Sequence, residues 1–553
     1  MAPLNSKNPL VSAAMIPAVV AVLCLAPFVD KAVHLDDPVF IWSAKHIHSK
    51  PFDFYGFKAN WYATELGMWE MHHNPPGACY YMALAALVLG WSEVALHTAF
   101  LVPAVAAALG TYYLAKVLHL ERKWAVLAAV AAVVTPGFVV SGTTLMCDML
   151  VLALWVWAVA LWAEGMKEDK QLRLFFAAIL ISLCMLTRYI GIALVMLLFA
   201  YSLMHKRKLG MWVLYLAIPA VVLGAYMWAA CSLYGRGILS QAASFAVDLR
   251  WKEKAALFSK AVSGLAFAGG CIITVLFYAP LLWSRRVLIV SVVLIILFTL
   301  MLASAEKIGN STVRDSDGVR WVFLVQVALM AAAGASLIGL ASTDFRQHRD
   351  ADSLLLALWV VGILVFASLI NWTVNARSIL PMVPAAGIML MRRVESRPGV
   401  KHKARMWRAA WPLVPTAVVA LSVGWADYAW ANTARSAAET ISKSSENHKG
   451  TIWFQGHWGF QYYMESSGHK ALDTKHSRLS SGDIVIVPSN NCFTWNLPRK
   501  RYLLSKTFEI GPSRRLSTMN LSVGAGFYSD IWGPLPFAVG LVAAEKYQAF
   551  IVR

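Results

Sequence analysis

The sequence predicts an all-α polytopic membrane domain of about thirteen transmembrane helices, followed by a small C-terminal α/β domain outside the membrane. Three observations carry that expectation. Only 14% of the 553 residues are charged, roughly half of the ~25% usual in a soluble domain. The apolar residues gather into runs such as 287–303 and 354–370, each long enough to cross a hydrocarbon core of about 30 Å. Lipid offers no partner to backbone N–H and C=O groups, so runs of this length close their own hydrogen bonds as helices. From Ala429 to Arg553 the chain turns polar, and its apolar runs shrink to strand length.

Taken in order, the first span is 11–29, and it leads into a long half-polar stretch, 30–94. Lys7 before the apolar run imitates a secretory signal, but the many spans that follow favour an uncleaved first helix. Further spans are expected at 95–118, 124–142, 149–164, 174–187, 189–204, 211–234, 265–283 and 287–303. The last four are 321–341, 354–370, 379–391 and 412–428. Residues 80–89 are helical but short. If they do not cross, alternation places every strongly basic loop on one side: Arg122/Lys123, Lys167/Lys170/Arg173, Lys206/Arg207/Lys208, Arg285/Arg286, Arg346/Arg349 and the dense 392–408 loop. The positive-inside rule makes that side cytoplasmic and lays 80–89 in the outer interface. The opposite face then holds 30–94, the turn around Asp148, and the loops 235–264, 304–320 and 371–378. In the polar C-terminal part, 429–553, the strand-like runs 452–455 and 484–487 flank an aromatic helix at 458–466, which reads as an α/β domain.

A net charge of +19 in a soluble chain would point to nucleic acid; here the cations sit in short loops between spans and answer to topology. Cys24, Cys79, Cys147, Cys184, Cys231, Cys271 and Cys492 show no metal-type spacing. Six of them lie in or beside apolar segments and read as small core hydrophobes.

The outer face collects the polar residues of interest. Asp36 and Asp37 precede Pro38, where a helix can begin, so they are either caps or a costly carboxylate pair at an apolar boundary. His72, His73 and Asn74 precede Pro75-Pro76; two adjacent His without a third ligand at fixed spacing are a weak metal signal. Asp148 stands at the mouth of a span, where the helix dipole favours an acid. Arg188 and Arg377 lie at outer span ends, placed either to snorkel or to bind a phosphate at the membrane surface. Pro381 and Pro384 interrupt 379–391, a kink expected to make room for a lipid group.

These residues, in this order, resemble the C-type lipid-phosphate-sugar-dependent glycosyltransferases (GT-C), in the branch of protein O-mannosyltransferases and aminoarabinose transferases. Asp36-Asp37-Pro38-Val39-Phe40 is similar to the Asp-Glu-x-x-Tyr signature of their first outer loop. His73-Asn74-Pro75-Pro76-Gly77 resembles the turn before their interfacial helix, and Leu145-Met146-Cys147-Asp148 their second acidic position. Thr187-Arg188-Tyr189 and Arg377-Ser378-Ile379-Leu380-Pro381 resemble their Leu-Thr-Lys and Arg-Tyr-Leu-Leu-Pro stretches. The resemblance covers roughly 11–391. Asp37 stands in place of Glu, Asn74 where a Lys is common, and Ser378 in place of Tyr, which leaves the phosphate contacts and the sugar open.

The resemblance implies transfer of a hexose or pentose, with inversion, from a polyprenyl-phosphate donor to an acceptor protein, lipid or glycan. It assigns catalytic roles to Asp36, Asp37 and Asp148, with Asp36 as the base, and substrate binding to Phe40, His72, His73, Asn74, Arg188 and Arg377. It implies no certain cofactor, and a divalent metal near the acids and His72/His73 is left open. The expected site is a bacterial inner membrane with the active face outward, and no nucleic acid partner is expected. A polymerase or ligase of lipid-linked polysaccharide shares this topology. A secondary transporter fits less well, because the notable acids cluster at the outer boundary rather than at the midplane.

Overall fold

The structure, a computed structural model, describes residues 9–241, 244, 257–396 and 402–553. Lys7, parts of the expected outer loop 235–264 and residues 397–401 of the basic loop lie outside these. Among the described residues eight helices are long and apolar enough to span a membrane, and up to ten if two bent pairs each count as one. The expectation of about thirteen spans is supported only in part.

The physical reasons are local. In the bent pair Arg122–Val133 and Pro136–Gly142 the helix turns by 62°. The second half starts afresh at Pro136, with Thr135 as its cap accepting from Phe138 N at 3.2 Å. Leu257–Cys271 and Thr274–Leu282 meet at 84°. Ala13–Phe28 and Gln171–Met185 are apolar but short. The expected span 379–391 is a 3-10 turn, Leu380–Met382, running into Val383–Glu395. Pro381 and Pro384 do break this helix, but residues 379–391 are buried throughout. At Gly387 the backbone sits so close to the Ala128 carbonyl that a Cβ would collide with it. Protein fills the expected lipid-receiving kink.

Among the eight candidate spans Asp148–Lys167 is the most enclosed, with 72% of its apolar stretch buried; Trp212–Tyr234 and Arg285–Ala303 are at 17% and leave wide apolar faces outward. Such faces are unaffordable in water and ordinary in lipid.

The loops fall into two groups, as the alternation of spans requires. At one end Lys167 bonds Asp352 at 2.6 Å and the Val117 carbonyl at 2.8 Å, Arg392 pairs with Asp344 at 3.1 Å, and Glu121 N reaches Glu395. At the other end Glu93 bonds Arg435 and Tyr463, and Gly77 N donates to the Leu186 carbonyl at 2.8 Å. Gly77–Leu89 therefore starts and finishes on the same face and does not cross.

The C-terminal part carries a five-stranded mixed sheet in the order Tyr502–Ile510, Glu545–Val552, Ile484–Pro488, Ile452–Phe454, Lys470–Ala471. The last two pairings are parallel and the others antiparallel. The helix Trp458–Ser466 covers it. The boundary expected at Ala429 is not a break, because Leu413–Ser444 runs through it as one helix. Two cores result. A small one unites Ala437, Ile441, Phe454, Phe460 and Tyr547, while Met519, Phe527 and Leu535 join the core of the membrane domain. Backbone bonds seal that second seam: Ala376 N to the Phe527 carbonyl and Asp530 N to the Val374 carbonyl, both 2.8 Å.

Candidate active site

Pro38 starts the helix Asp37–Ser49, and Asp36 is its N-cap. Just before it Leu35 is held at φ 45° although its side chain is buried. A bulky residue in that region is strained, a condition that persists where surroundings over-determine the backbone. Asp37 is part of what does so. It is fully buried and accepts from His34 N at 3.0 Å and from Leu145 N at 2.9 Å. Burial pushes its pKa up to about 7, against the opposing pull of Lys31 and the two backbone N–H groups. Asp37 thus ties the first outer loop to the turn that presents Asp148.

Asp148 opens the helix Asp148–Lys167 with its side chain 1% exposed. Its two oxygens accept from Arg188 Nη1 and Arg377 Nε, each at 2.6 Å. Burying a carboxylate this deeply is tolerable because both oxygens are met by charged donors. Arg377 sits on the short helix Ala376–Ile379, whose cap Asn375 accepts from Ser378 N at 2.8 Å. Ser378 Oγ in turn accepts from Arg188 Nη2 at 3.3 Å and Asn371 Nδ2 at 3.1 Å. Arg377 Nη1 then reaches Asp36 Oδ2 at 3.2 Å. Asp36 is 45% exposed, so it is the open member of a cluster whose other charges are largely enclosed.

The structure therefore brings together Asp36, Asp148, Arg188 and Arg377, with Asp37 directly behind. Phe40 and His72 form a neighbouring cluster. The His72 ring packs edge-on to Phe40 at 4.6 Å and against Tyr55 at 4.8 Å, with Nδ1 3.4 Å from Ser43 Oγ. Burial, then His73 and Arg377, push the His72 pKa down to about 3, and burial lowers that of His73. His72 is a neutral ring at physiological pH, able to donate a hydrogen bond but not a positive charge. Asn74 offers its backbone carbonyl to the Tyr55 hydroxyl at 2.7 Å. Among the described residues no three His, Cys, Asp or Glu side chains are grouped to hold a metal ion. The acids of the cluster face guanidinium groups, and His72 faces aromatic rings.

Some residues of the site escaped the sequence reading. Tyr62 and Cys492 lie near enough to Asp36 that its charge adds to burial in raising both, Cys492 to about 12. Lys31 and Asp427 form an ion pair at 2.6 Å with both side chains at 0% exposure. Thr518 and Tyr528 complete it by donating to Asp427 at 2.6 and 2.8 Å, and Lys31 donates to Thr143 at 3.1 Å. The signal for that pair was available: Asp427 is an acid inside an apolar helix, and such residues are costly without a partner.

Residues 73–229 match the family described as dolichyl-phosphate-mannose-protein mannosyltransferase, a stretch that holds Asp148 and Arg188 but neither Asp36 nor Arg377. No curated protein sequence matches the chain. Among solved structures, it is similar to the archaeal oligosaccharyltransferase AglB from Archaeoglobus fulgidus, in complex with an inhibitory peptide and a dolichol-phosphate. The TM-score there is 0.52 at 12% identity, over 85% of this chain and 65% of that one; this chain spans less than two thirds of the archaeal protein. It is also similar to ArnT from Cupriavidus metallidurans bound to undecaprenyl phosphate, with TM-score 0.51 and 12% identity over 88% of this chain and 94% of that one. At these identities the likeness is one of fold, and with the apolar helices it makes the chain a multi-pass membrane protein of the C-type glycosyltransferase fold.

Proposed function

We propose that the chain is an integral-membrane glycosyltransferase that moves one monosaccharide from a polyprenyl-phosphate donor to an acceptor hydroxyl at the outer face. The observation that carries this reading is the single half-exposed carboxylate, Asp36, touching a buried guanidinium, Arg377, that Asp148 holds from behind.

The chemistry follows from where charge moves. The acceptor oxygen attacks the anomeric carbon while the C1–O bond to phosphate breaks on the opposite side, so the configuration inverts. The bonding pair goes to the phosphate oxygen and the acceptor proton goes to Asp36, a general-base contribution of about 10²–10⁴-fold. The donor phosphate gains one negative charge as Asp36 loses one, so the local sum is unchanged. Arg377 and Arg188 then face a phosphate dianion and the Asp148 carboxylate, where before transfer they faced a phosphodiester monoanion and two carboxylates. A guanidinium has five N–H groups; Arg377 meets Asp148 through Nε and Asp36 through Nη1, and the Cys147 thiol also lies within hydrogen-bonding reach. Its Nη2 edge is the candidate phosphate donor, in the preorganised form that stabilises a developing anion. Asp148, closed off by two arginines, orients them rather than taking a proton. Asp37 holds backbone, and the neutral His72 and its neighbours His73 and Asn74 border the site.

Lipid phosphates bound to two proteins of the same fold support the donor class. The grouping of basic loops at the end away from the site supports an outward-facing active site, read as that of a bacterial inner membrane. The test is mass spectrometry of lipid-linked sugars and envelope glycans in cells lacking the gene. A polyprenyl-phosphate sugar should accumulate while one glycan loses a single monosaccharide. No change in either pool overturns the proposal.

A further inference from the structure

A second feature of the outer face lies outside the Asp36 cluster. The loop after Asp37–Ser49 folds into a short antiparallel hairpin, Lys58–Asn60 with Glu65–Gly67. The C-terminal part clamps it: Gln461 Nε2 donates to the Asn60 carbonyl at 2.6 Å, Thr474 N to the Ala63 carbonyl at 2.9 Å, and Glu65 N to Asp473 at 3.0 Å. Between the base of this hairpin and the helix Asp37–Ser49 opens a cavity of about 530 Å³, within the roughly 300–1,000 Å³ of small-molecule sites.

The lining has a recognisable chemistry. Trp42 and Phe57 offer aromatic faces, His46 lies tilted against Phe57 with ring centres 4.8 Å apart, and Asn60 and Glu465 bring an amide and a carboxylate. Lys45 and Lys58 are exposed at the rim, and among the described residues neither forms an ion pair. The Lys45 ammonium stands 5.8 Å from the Trp91 ring centre and 6.0 Å from that of Tyr462, a placement that favours the cation without neutralising it. Aromatic faces beside an amide and a carboxylate suit the apolar faces and hydroxyls of a sugar. Two lysines free of counter-ions suit an anionic group on it.

The cavity also connects to the reacting carboxylate. Asp36 caps the helix that carries Trp42 and Lys45, which puts Lys45 about 13 Å from it along the axis. The hairpin covers the same interval from the other side. Its base lines the cavity, and its tip carries Trp61, packed between Trp42 and His457, and Tyr62, which feels the Asp36 charge. We infer that this cavity is the acceptor subsite and that it takes an anionic saccharide, whose free hydroxyl end then reaches Asp36. The inference rests on the glycosyl-transfer reading for its role, but the site itself is testable without donor or turnover.

The experiment is calorimetric titration of the full-length protein in detergent with trigalacturonate and with neutral maltotriose. The wild type should bind trigalacturonate at least tenfold more tightly than maltotriose, and more weakly at higher salt. The double variant Lys45→Glu/Lys58→Glu should lose at least tenfold for trigalacturonate alone, whereas Trp42→Ala should lose both sugars. Asp36→Asn should still bind trigalacturonate at least tenfold more tightly than maltotriose, so a failed transfer reaction leaves this result intact. Absent binding, equal binding of the two sugars, or a charge-reversed variant that binds like the wild type each overturns the inference. Both lysines are exposed, and an unchanged melting temperature of the double variant confirms that its fold is intact.

Discussion

Two ionic clusters sit at the end of the molecule away from the basic loops, and they differ in whether their charges are closed off. In the first, Lys31 and Asp427 are both at 0% exposure, and Thr518, Tyr528 and Thr143 meet the remaining valences. In the second, two arginines enclose Asp148, but the chain of charges ends at Asp36, 45% exposed. A closed pair can only hold parts together; here it fastens the first outer loop to the long helix Leu413–Ser444 and to the C-terminal segment. An open cluster with a charged end can exchange a proton or accept an anion. The contrast separates residues placed to build the proposed site from residues placed to act in it, although both clusters join distant parts of the chain.

The comparison breaks most sharply at Asp427. Asp427→Ala strands Lys31 in the core, and losing one member of a buried pair typically costs about 3–5 kcal/mol. A large drop in melting temperature is expected, with lipid-phosphate affinity of the folded fraction unchanged. Arg377→Ala tests the other cluster. It should weaken undecaprenyl-phosphate binding by about 1.5–3 kcal/mol, the worth of a charged hydrogen bond, as read by a binding titration. Unchanged lipid binding with a clear loss of stability would move Arg377 to the scaffold.

The smallest effect is a slope. Asp37 titrates near 7 in the folded chain and about 3.9 when unfolded. The folded state therefore holds its proton more tightly, and this contribution is fully present below pH ~4 and is lost as pH rises toward 7. The decline is at most about 1.4 kcal/mol per pH unit. Asp37→Asn should flatten the pH dependence of the melting temperature across that window. An unchanged slope would mean that Asp37 is ionised throughout.

Membrane class, the non-crossing helix Gly77–Leu89 and the grouping of basic loops were legible because apolar run length and loop charge are local quantities. Asp36, Asp148, Arg188 and Arg377 stood out for the same reason, each a polar residue stranded beside an apolar run, and the structure brings these four together. Their mutual contacts were not legible, since Asp36 and Arg377 stand 341 residues apart and Lys31 and Asp427 stand 396 apart. The different duties of Asp36 and Asp37 were also hidden. They depend on the turn at Leu35 and on the Leu145 backbone, neither of which leaves a pattern in composition. Pro381 and Pro384 marked a real helix break, but only the packing of neighbouring helices shows that protein fills it.

In the proposed mechanism Asp36, not Asp37, is the reactive member of the pair. The most direct measurement is single-turnover transfer from a polyprenyl-phosphate sugar by Asp36→Asn, beside Asp37→Asn and the wild type, with donor binding measured on the same samples. Asp36→Asn should lose about 10²–10⁴-fold in rate while binding donor as the wild type does. Asp37→Asn should lose far less rate per folded molecule. An active Asp36→Asn beside a dead but folded Asp37→Asn would contradict the assignment.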